Sequence, residues 1–197
     1  NYTETNHLSF YSSGNITEQD WSTKAVKSDY FYLKGVVENS LSILGITRAI
    51  FEPANVNGFQ NYTEIKINNK AIAFLGEVDE DTMKQFDLKV PVFYADILWD
   101  ELLTLAKEKQ IQYREVSKFP AVERDLSIVV DKNIPYAQIK KLASSAGIEV
   151  LKSTQLFDIF ESEKLGAGKK SMAVNFTFMD GNKTLTDKEI DEIMQRL

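Results

Sequence analysis

Between residues 29 and 44 apolar side chains recur every three or four positions, at Tyr30, Leu33, Val37, Leu41 and Leu44, which predicts a helix with one apolar stripe. Ser28 is the expected N-cap, and Gly45 suits the C′ position, where φ turns positive. The period then drops to two. Residues 63–67 alternate, residues 71–75 return, and Asn68-Asn69 between them tolerates the left-handed backbone of a two-residue hairpin turn. A short helix over 79–85, a strand over 92–97 and a helix over 100–109 follow. Strands and helices alternate here, which predicts an α/β module with a sheet layered by helices.

The pattern restarts after Phe119-Pro120, because the residue before a proline avoids the helical region. Residues 111–118 lead into this second part. Strand periodicity covers 122–131, a helix over 135–145 ends at Gly147, and strands over 148–160 and 169–179 face each other across a glycine-containing turn. Thr186 with Glu189 three residues on forms a capping box, which opens a last helix at Asp187. The order βαββα is that of a ferredoxin-like unit with its final strand missing. The expected fold class is therefore α+β, in two domains covering 1–116 and 117–197. The chain begins at Asn1 without a recognisable first element and stops inside a helical pattern, so it reads as a fragment of a longer protein.

An apolar fraction of 43% with 11% aromatics supports packed cores and excludes wholesale disorder. No apolar run approaches the roughly 18 residues of a membrane span, and no leader pattern opens the chain. With no cysteine, disulfides, thiolate catalysis and Cys-based zinc sites are all excluded. Five Asn-x-Ser/Thr sequons occur, but Asn175 lies inside a strand, and glycosylation is not expected; the chain reads as cytoplasmic. Residues 1–117 carry 11 basic and 17 acidic side chains, whereas residues 118–197 carry 12 of each. A strongly basic nucleic-acid binder is thereby excluded, and local recognition by the neutral second part is left open.

Candidate chemistry is sparse. His7 is the only histidine, so a catalytic triad or multi-histidine metal site cannot form. Gly166-Ala167-Gly168-Lys169-Lys170-Ser171 superficially resembles a phosphate loop. The spacing would place glycine at 163 and a hydroxyl at 170, where Glu163 and Lys170 stand. A hairpin tip is the better reading, with Lys164, Lys169 and Lys170 able to meet phosphates as point charges. The acidic run Glu77, Asp79, Glu80 and Asp81 suits a helix start rather than a cation site. Strand alternation puts Arg124 on the face of Leu126 and Ile128, where a guanidinium needs a carboxylate. Asp158 is the expected partner, with RNA contact as the other reading. Phe176 and Phe178 share a stripe with Met172 and Val174 and read as core. Ser171, Ala173, Asn175 and Thr177 opposite are small and polar enough to admit a base.

Four separated motifs carry a family resemblance: Lys118-Phe119-Pro120-Ala121-Val122-Glu123-Arg124-Asp125, Phe157-Asp158-Ile159-Phe160, Gly166-Ala167-Gly168-Lys169-Lys170-Ser171, and Thr184-Leu185-Thr186-Asp187. In this order they resemble the ferredoxin-fold anticodon-binding domain of bacterial phenylalanyl-tRNA synthetase β subunits. Upstream, Asp29-Tyr30-Phe31-Tyr32-Leu33-Lys34-Gly35 and Leu75-Gly76-Glu77-Val78 are similar to that subunit's catalytically silent synthetase-like domain. The resemblance implies a non-catalytic part of a class II ligase that binds the tRNA(Phe) anticodon stem-loop and pairs with an α subunit, in an enzyme of two α and two β chains. It implies no cofactor for this chain, with ATP and Mg²⁺ expected on the complete enzyme, and no membrane or DNA partner. Lys118, Arg124, Lys169, Lys170 and Ser171 are the implied RNA-proximal residues. Glu161-Ser162 stands where the family commonly has a basic residue and glycine. The alternatives are a ferredoxin-like regulatory module that binds a small metabolite, and a pure interaction module.

Overall fold

The computed structural model describes residues 2–107 and 115–197, and the chain divides into two compact units, residues 1–113 and 114–197. Each unit has its own hydrophobic cluster. Residues 108–114, which include the predicted end of the helix over 100–109 and the start of the stretch 111–118, lie outside the described residues.

Unit 1 contains β1 (His7–Ser13), β2 (Asn15–Thr17), β3 (Val26–Lys27), α1 (Tyr30–Ile43), β4 (Ile50–Pro53), β5 (Phe59–Ile67), β6 (Lys70–Val78), α2 (Glu80–Gln85), β7 (Val92–Leu98) and α3 (Trp99–Lys107). Five strands form a sheet in the order β1-β7-β6-β5-β4, with every neighbour antiparallel, and β2 and β3 make a separate ribbon. The antiparallel arrangement follows from the β5–β6 turn: Asn68 and Asn69 take φ of 50° and 63°, the left-handed values a two-residue hairpin needs. On one sheet face Ile65, Leu75, Ala95 and Ile97 are buried with Leu33, Val37 and Leu41 of α1 and Leu102 of α3. On the other face Gly76 is required by close packing, since a Cβ there would stand 3.0 Å from Cδ1 of Phe59.

Two local expectations need correction. Asp29, not Ser28, caps α1: its carboxylate accepts the Tyr32 N–H at 2.7 Å, while the Ser28 hydroxyl bonds that of Ser12. A carboxylate at the helix N-terminus also meets the positive end of the helix dipole, which a serine cannot exploit. The start of the chain is also structured, because β1 is a full edge strand registered on β7 from His7↔Leu98 to Ser13↔Val92. Only Leu8 and Phe10 of β1 pack against the core, too few apolar positions to stand out as periodicity.

Unit 2 contains β8 (Val122–Asp131), α4 (Tyr136–Ser145), β9 (Leu151–Phe160), a short 3₁₀ turn (Glu163–Leu165), β10 (Lys169–Phe178) and α5 (Asp187–Arg196). The antiparallel sheet has the order β8-β10-β9, with β10 central. Strand β9 begins at Leu151 because Gly147, at φ 67°, leads into a tight turn closed by the Leu151 N–H on the Ile148 carbonyl. Met172, Val174, Phe176 and Phe178 are buried along one face of β10 with Ala143 of α4 and Ile190 of α5, as their common stripe predicts. The fold of the whole chain is α+β.

Helix α5 carries the expected capping box. Thr186 Oγ1 accepts the Glu189 N–H at 3.4 Å, and Glu189 Oε2 accepts the Thr186 N–H at 2.9 Å. A hydrogen-bonded ion pair to Lys183, with the bonds from Thr186, holds the Glu189 carboxyl down at about 2, against an ordinary 4.5. A depressed carboxylate stabilises the folded state above its ordinary value and loses that contribution as pH falls through the folded value. Amide protection in α5 is therefore expected to decay from about pH 4.5 to about pH 2. Glu189→Gln should remove that acid limb in hydrogen-exchange profiles; an unchanged limb in the variant would refute the linkage.

Candidate nucleic-acid interface

The candidate residues come from different parts of unit 2 and do not converge. Arg124 stands opposite Phe176 on the helix-covered side of the sheet, and its Nη2 lies 2.6 Å from Asp187 Oδ1 at the first turn of α5. The expected pair with Asp158 does not form. Asp158 registers with Ala173, which faces Ser127 on β8, so it sits further along the sheet and on its open side. Alternation had correctly placed Arg124, but sequence spacing could not show that the start of α5 lies closer to it than β9.

Lys169 and Ser171 point to the open face, and Lys170 to the opposite one, because strand neighbours alternate. Lys169 Nζ is 3.4 Å from Asp131 Oδ1 across the β8–β10 ladder. Between these strands Gly166 and Gly168 adopt φ of 100° and 73°, so the glycine run forms a hairpin tip. It precedes a strand and not a helix N-terminus, and thus lacks the amide array of a phosphate loop. Lys118 is exposed before β8.

The open face is polar but internally bonded. Ser153 Oγ donates to Thr177 Oγ1 at 2.9 Å, Thr177 donates to Asn175 Oδ1 at 3.4 Å, and Asn175 Nδ2 donates to Asp125 Oδ1 at 2.8 Å. Alternation from these registers places Glu123, Asp125, Asp131 and Asp158 on this face, with Lys169 its one basic strand residue. The face expected to admit RNA is thus acidic, and phosphates are repelled there. Phe157 and Phe160 are more than half exposed near its β9 edge.

In unit 1 the structure assembles a cluster that sequence reasoning missed. Asp96 on β7 is 7% exposed and accepts hydrogen bonds from Ser9 Oγ at 2.9 Å and from the Tyr94 hydroxyl at 2.8 Å, with His7 Nδ1 2.6 Å from its other oxygen. Burial pushes the Asp96 carboxyl up, but the bonds from His7, Tyr94 and Ser9 outweigh it and hold the group below its ordinary value. Burial, together with the Asp96 carboxylate, pushes the Tyr94 hydroxyl up to about 12. The ring of Tyr94 packs on Tyr11, Phe59 and Phe74, 4.7 to 6.1 Å between centroids. The available signal was the Ser9-x-Tyr11 and Tyr94-x-Asp96 alternation, which needs the β1–β7 register to be read. The acidic run before α2 behaves as expected of a helix start: Asp79 accepts the Thr82 N–H at 2.8 Å. Among the described residues no group of three or more His, Cys, Asp or Glu side chains converges to hold a metal ion.

An antiparallel five-stranded sheet backed by helices, followed by a ferredoxin-type βαββα unit, defines a two-unit α+β protein. Residues 1–99 match the family model described as the phenylalanyl tRNA synthetase beta chain CLM domain, and residues 117–197 match the ferredoxin-fold anticodon binding domain. The chain belongs to the phenylalanyl tRNA synthetase beta chain family. It is 37% identical to the phenylalanine–tRNA ligase beta subunit of Bacteroides thetaiotaomicron over 199 residues, covering all of this chain and 24% of that protein. The corresponding subunits of Porphyromonas gingivalis and Streptococcus mutans are 32% and 34% identical, over 100% and 98% of this chain. The chain spans about a quarter of the length of the curated relatives it matches.

Proposed function

We propose that this chain is the tRNA-binding and subunit-interface part of a phenylalanine–tRNA ligase β subunit. The observation that carries the reading is the βαββα unit itself, folded over the span that matches an anticodon-binding domain. Unit 2 holds the anticodon stem-loop of tRNA(Phe), and unit 1 serves as a silent synthetase-like module. Attachment of phenylalanine belongs to an α subunit acting in trans, which supplies the ATP and Mg²⁺ chemistry, in a cytoplasmic assembly of two α and two β chains. Of the candidate contacts, Lys118 and Lys170 have no carboxylate within 4 Å among the described residues and keep their charge for phosphates. Arg124 and Lys169 are already engaged by Asp187 and Asp131, with Ser171 beside Lys169 as a hydroxyl donor.

Fluorescence anisotropy with labelled tRNA(Phe) transcript tests this. The expected result is saturable binding whose affinity falls linearly with salt on a log–log plot, as displaced counterions require. A salt-independent signal, or none, would overturn the reading.

A further inference from the structure

The acidic open face leaves open where a phosphodiester backbone meets unit 2, and a basic furrow lies elsewhere on the same unit. Two concavities of about 380 and 390 Å³ adjoin along the start of β9. The first lies between α4 and β9 and is lined by Lys140, Ser144, Lys152, Ser153, Thr154 and Gln155, among others. The second is lined by Ser117, Lys118 and Phe119 with Met179, and Lys152 borders both. Lys118, Lys140 and Lys152 are exposed, and among the described residues none has a carboxylate within 4 Å. Lys152 Nζ spends one of its protons on the Glu149 carbonyl at 3.1 Å. Among the described residues that line the two concavities, Glu115 is the one carboxylate.

The strand edge adds donors. β9 pairs with β10 on one side only. The Tyr136 hydroxyl donates to the Thr154 carbonyl at 2.6 Å, which shows that this carbonyl points away from β10. In an antiparallel strand the N–H and C=O of one residue point the same way, so the Thr154 amide also faces the furrow. Point charges at the rim with a backbone donor in the floor suit phosphate oxygens and carry no base code, whereas the Ser144 and Ser153 hydroxyls already donate to the Lys140 carbonyl and to Thr177.

Resting on the tRNA-binding reading, we infer that the furrow formed by Lys118, Lys140 and Lys152 along the free edge of β9 is the track for an RNA phosphodiester backbone, in place of the acidic open sheet face. A polypeptide strand added to the β9 edge is the competing occupant, but it would use the backbone edge and gain little from three uncommitted lysines.

The test compares tRNA(Phe) transcript binding by the 197-residue chain, its Lys118→Glu/Lys140→Glu/Lys152→Glu variant, and a charge-matched Lys89→Glu/Lys188→Glu/Arg196→Glu variant, whose residues the functional reading does not use. Circular dichroism checks that all three are folded. The furrow variant should lose tenfold or more in affinity, and each lysine changed singly to Gln should lower the salt slope by about 1. The charge-matched variant should bind within about threefold of the parent, a shift of long-range attraction alone. Equal weakening of both triple variants would reduce the effect to net charge and overturn the track. Unchanged affinity in the furrow variant would do the same, assigning the β9 edge to a polypeptide while tRNA binding stands. Absence of binding by the parent chain would overturn the functional reading itself, and the track with it.

Discussion

Truncating Phe178 to alanine is expected to destabilise unit 2 by about 3–5 kcal/mol, the cost of deleting a fully buried aromatic ring and leaving a cavity. Phe178 sits at the end of β10 opposite Val122, at 0% exposure, with Phe176 stacked 6.4 Å away. The ring closes the cluster that includes Met172, Val174, Leu185 and Ile190, and a small unit has little stability to lose. Both tryptophans, Trp21 and Trp99, belong to unit 1, so the two units can be followed separately. Hydrogen exchange should show lost protection across β8, β9 and β10, while Trp99 emission keeps its native maximum. Under the proposed function tRNA binding should fall with unit 2 stability, and Phe178→Leu, which keeps most of the volume, should recover much of both. Full protection in the alanine variant would contradict the assignment of this ring to the core.

Replacing Asp96 by alanine is expected to cost unit 1 about 2–3 kcal/mol, because a buried carboxylate with three partners is removed and the Tyr94 hydroxyl loses its acceptor. Urea unfolding followed by Trp99, which packs against the unit 1 core, measures it. Tyr94→Phe removes one of the three bonds and should cost about 1 kcal/mol. The pH dependence has a defined sign. The folded Asp96 carboxyl lies below its ordinary 3.8, so its contribution is present above that value and is lost as pH falls through the folded one. The gap between parent and Asp96→Ala should therefore be full above about pH 3.8 and shrink as pH falls below it. A gap that widened on acidification would mean that Asp96 is not held ionised by His7, Ser9 and Tyr94.

Local signals were sufficient wherever neighbouring residues settled the structure. The α1 stripe, the Asn68-Asn69 turn, the Thr186–Glu189 capping box and the buried phenylalanines of β10 are all as their sequence spacing predicts. The failures share a cause. Edge strand β1 has only two core-packing apolar residues, and its position depends on pairing with β7, a strand distant in the sequence. Arg124 was correctly read as needing a carboxylate, but whether that was Asp158 or Asp187 depended on where α5 starts relative to β8. The open face of unit 2 looked receptive on β10 alone, where its residues are small. The acids that make it hostile to phosphate come from β8 and β9.

Composition and periodicity by themselves determined that this protein is α+β, that its charge is concentrated in the first part, and that cysteine chemistry and multi-histidine sites are absent. Those properties are sums over residues or patterns within one turn or strand, so no distant partner can alter them. Only the tertiary structure decided that His7, Ser9 and Tyr94 converge on Asp96, and that Lys118 and Lys140 line two concavities that share Lys152. A site of that kind is a relation among strands and helices far apart in the chain. Its geometry is set by sheet register and packing, which no local pattern encodes.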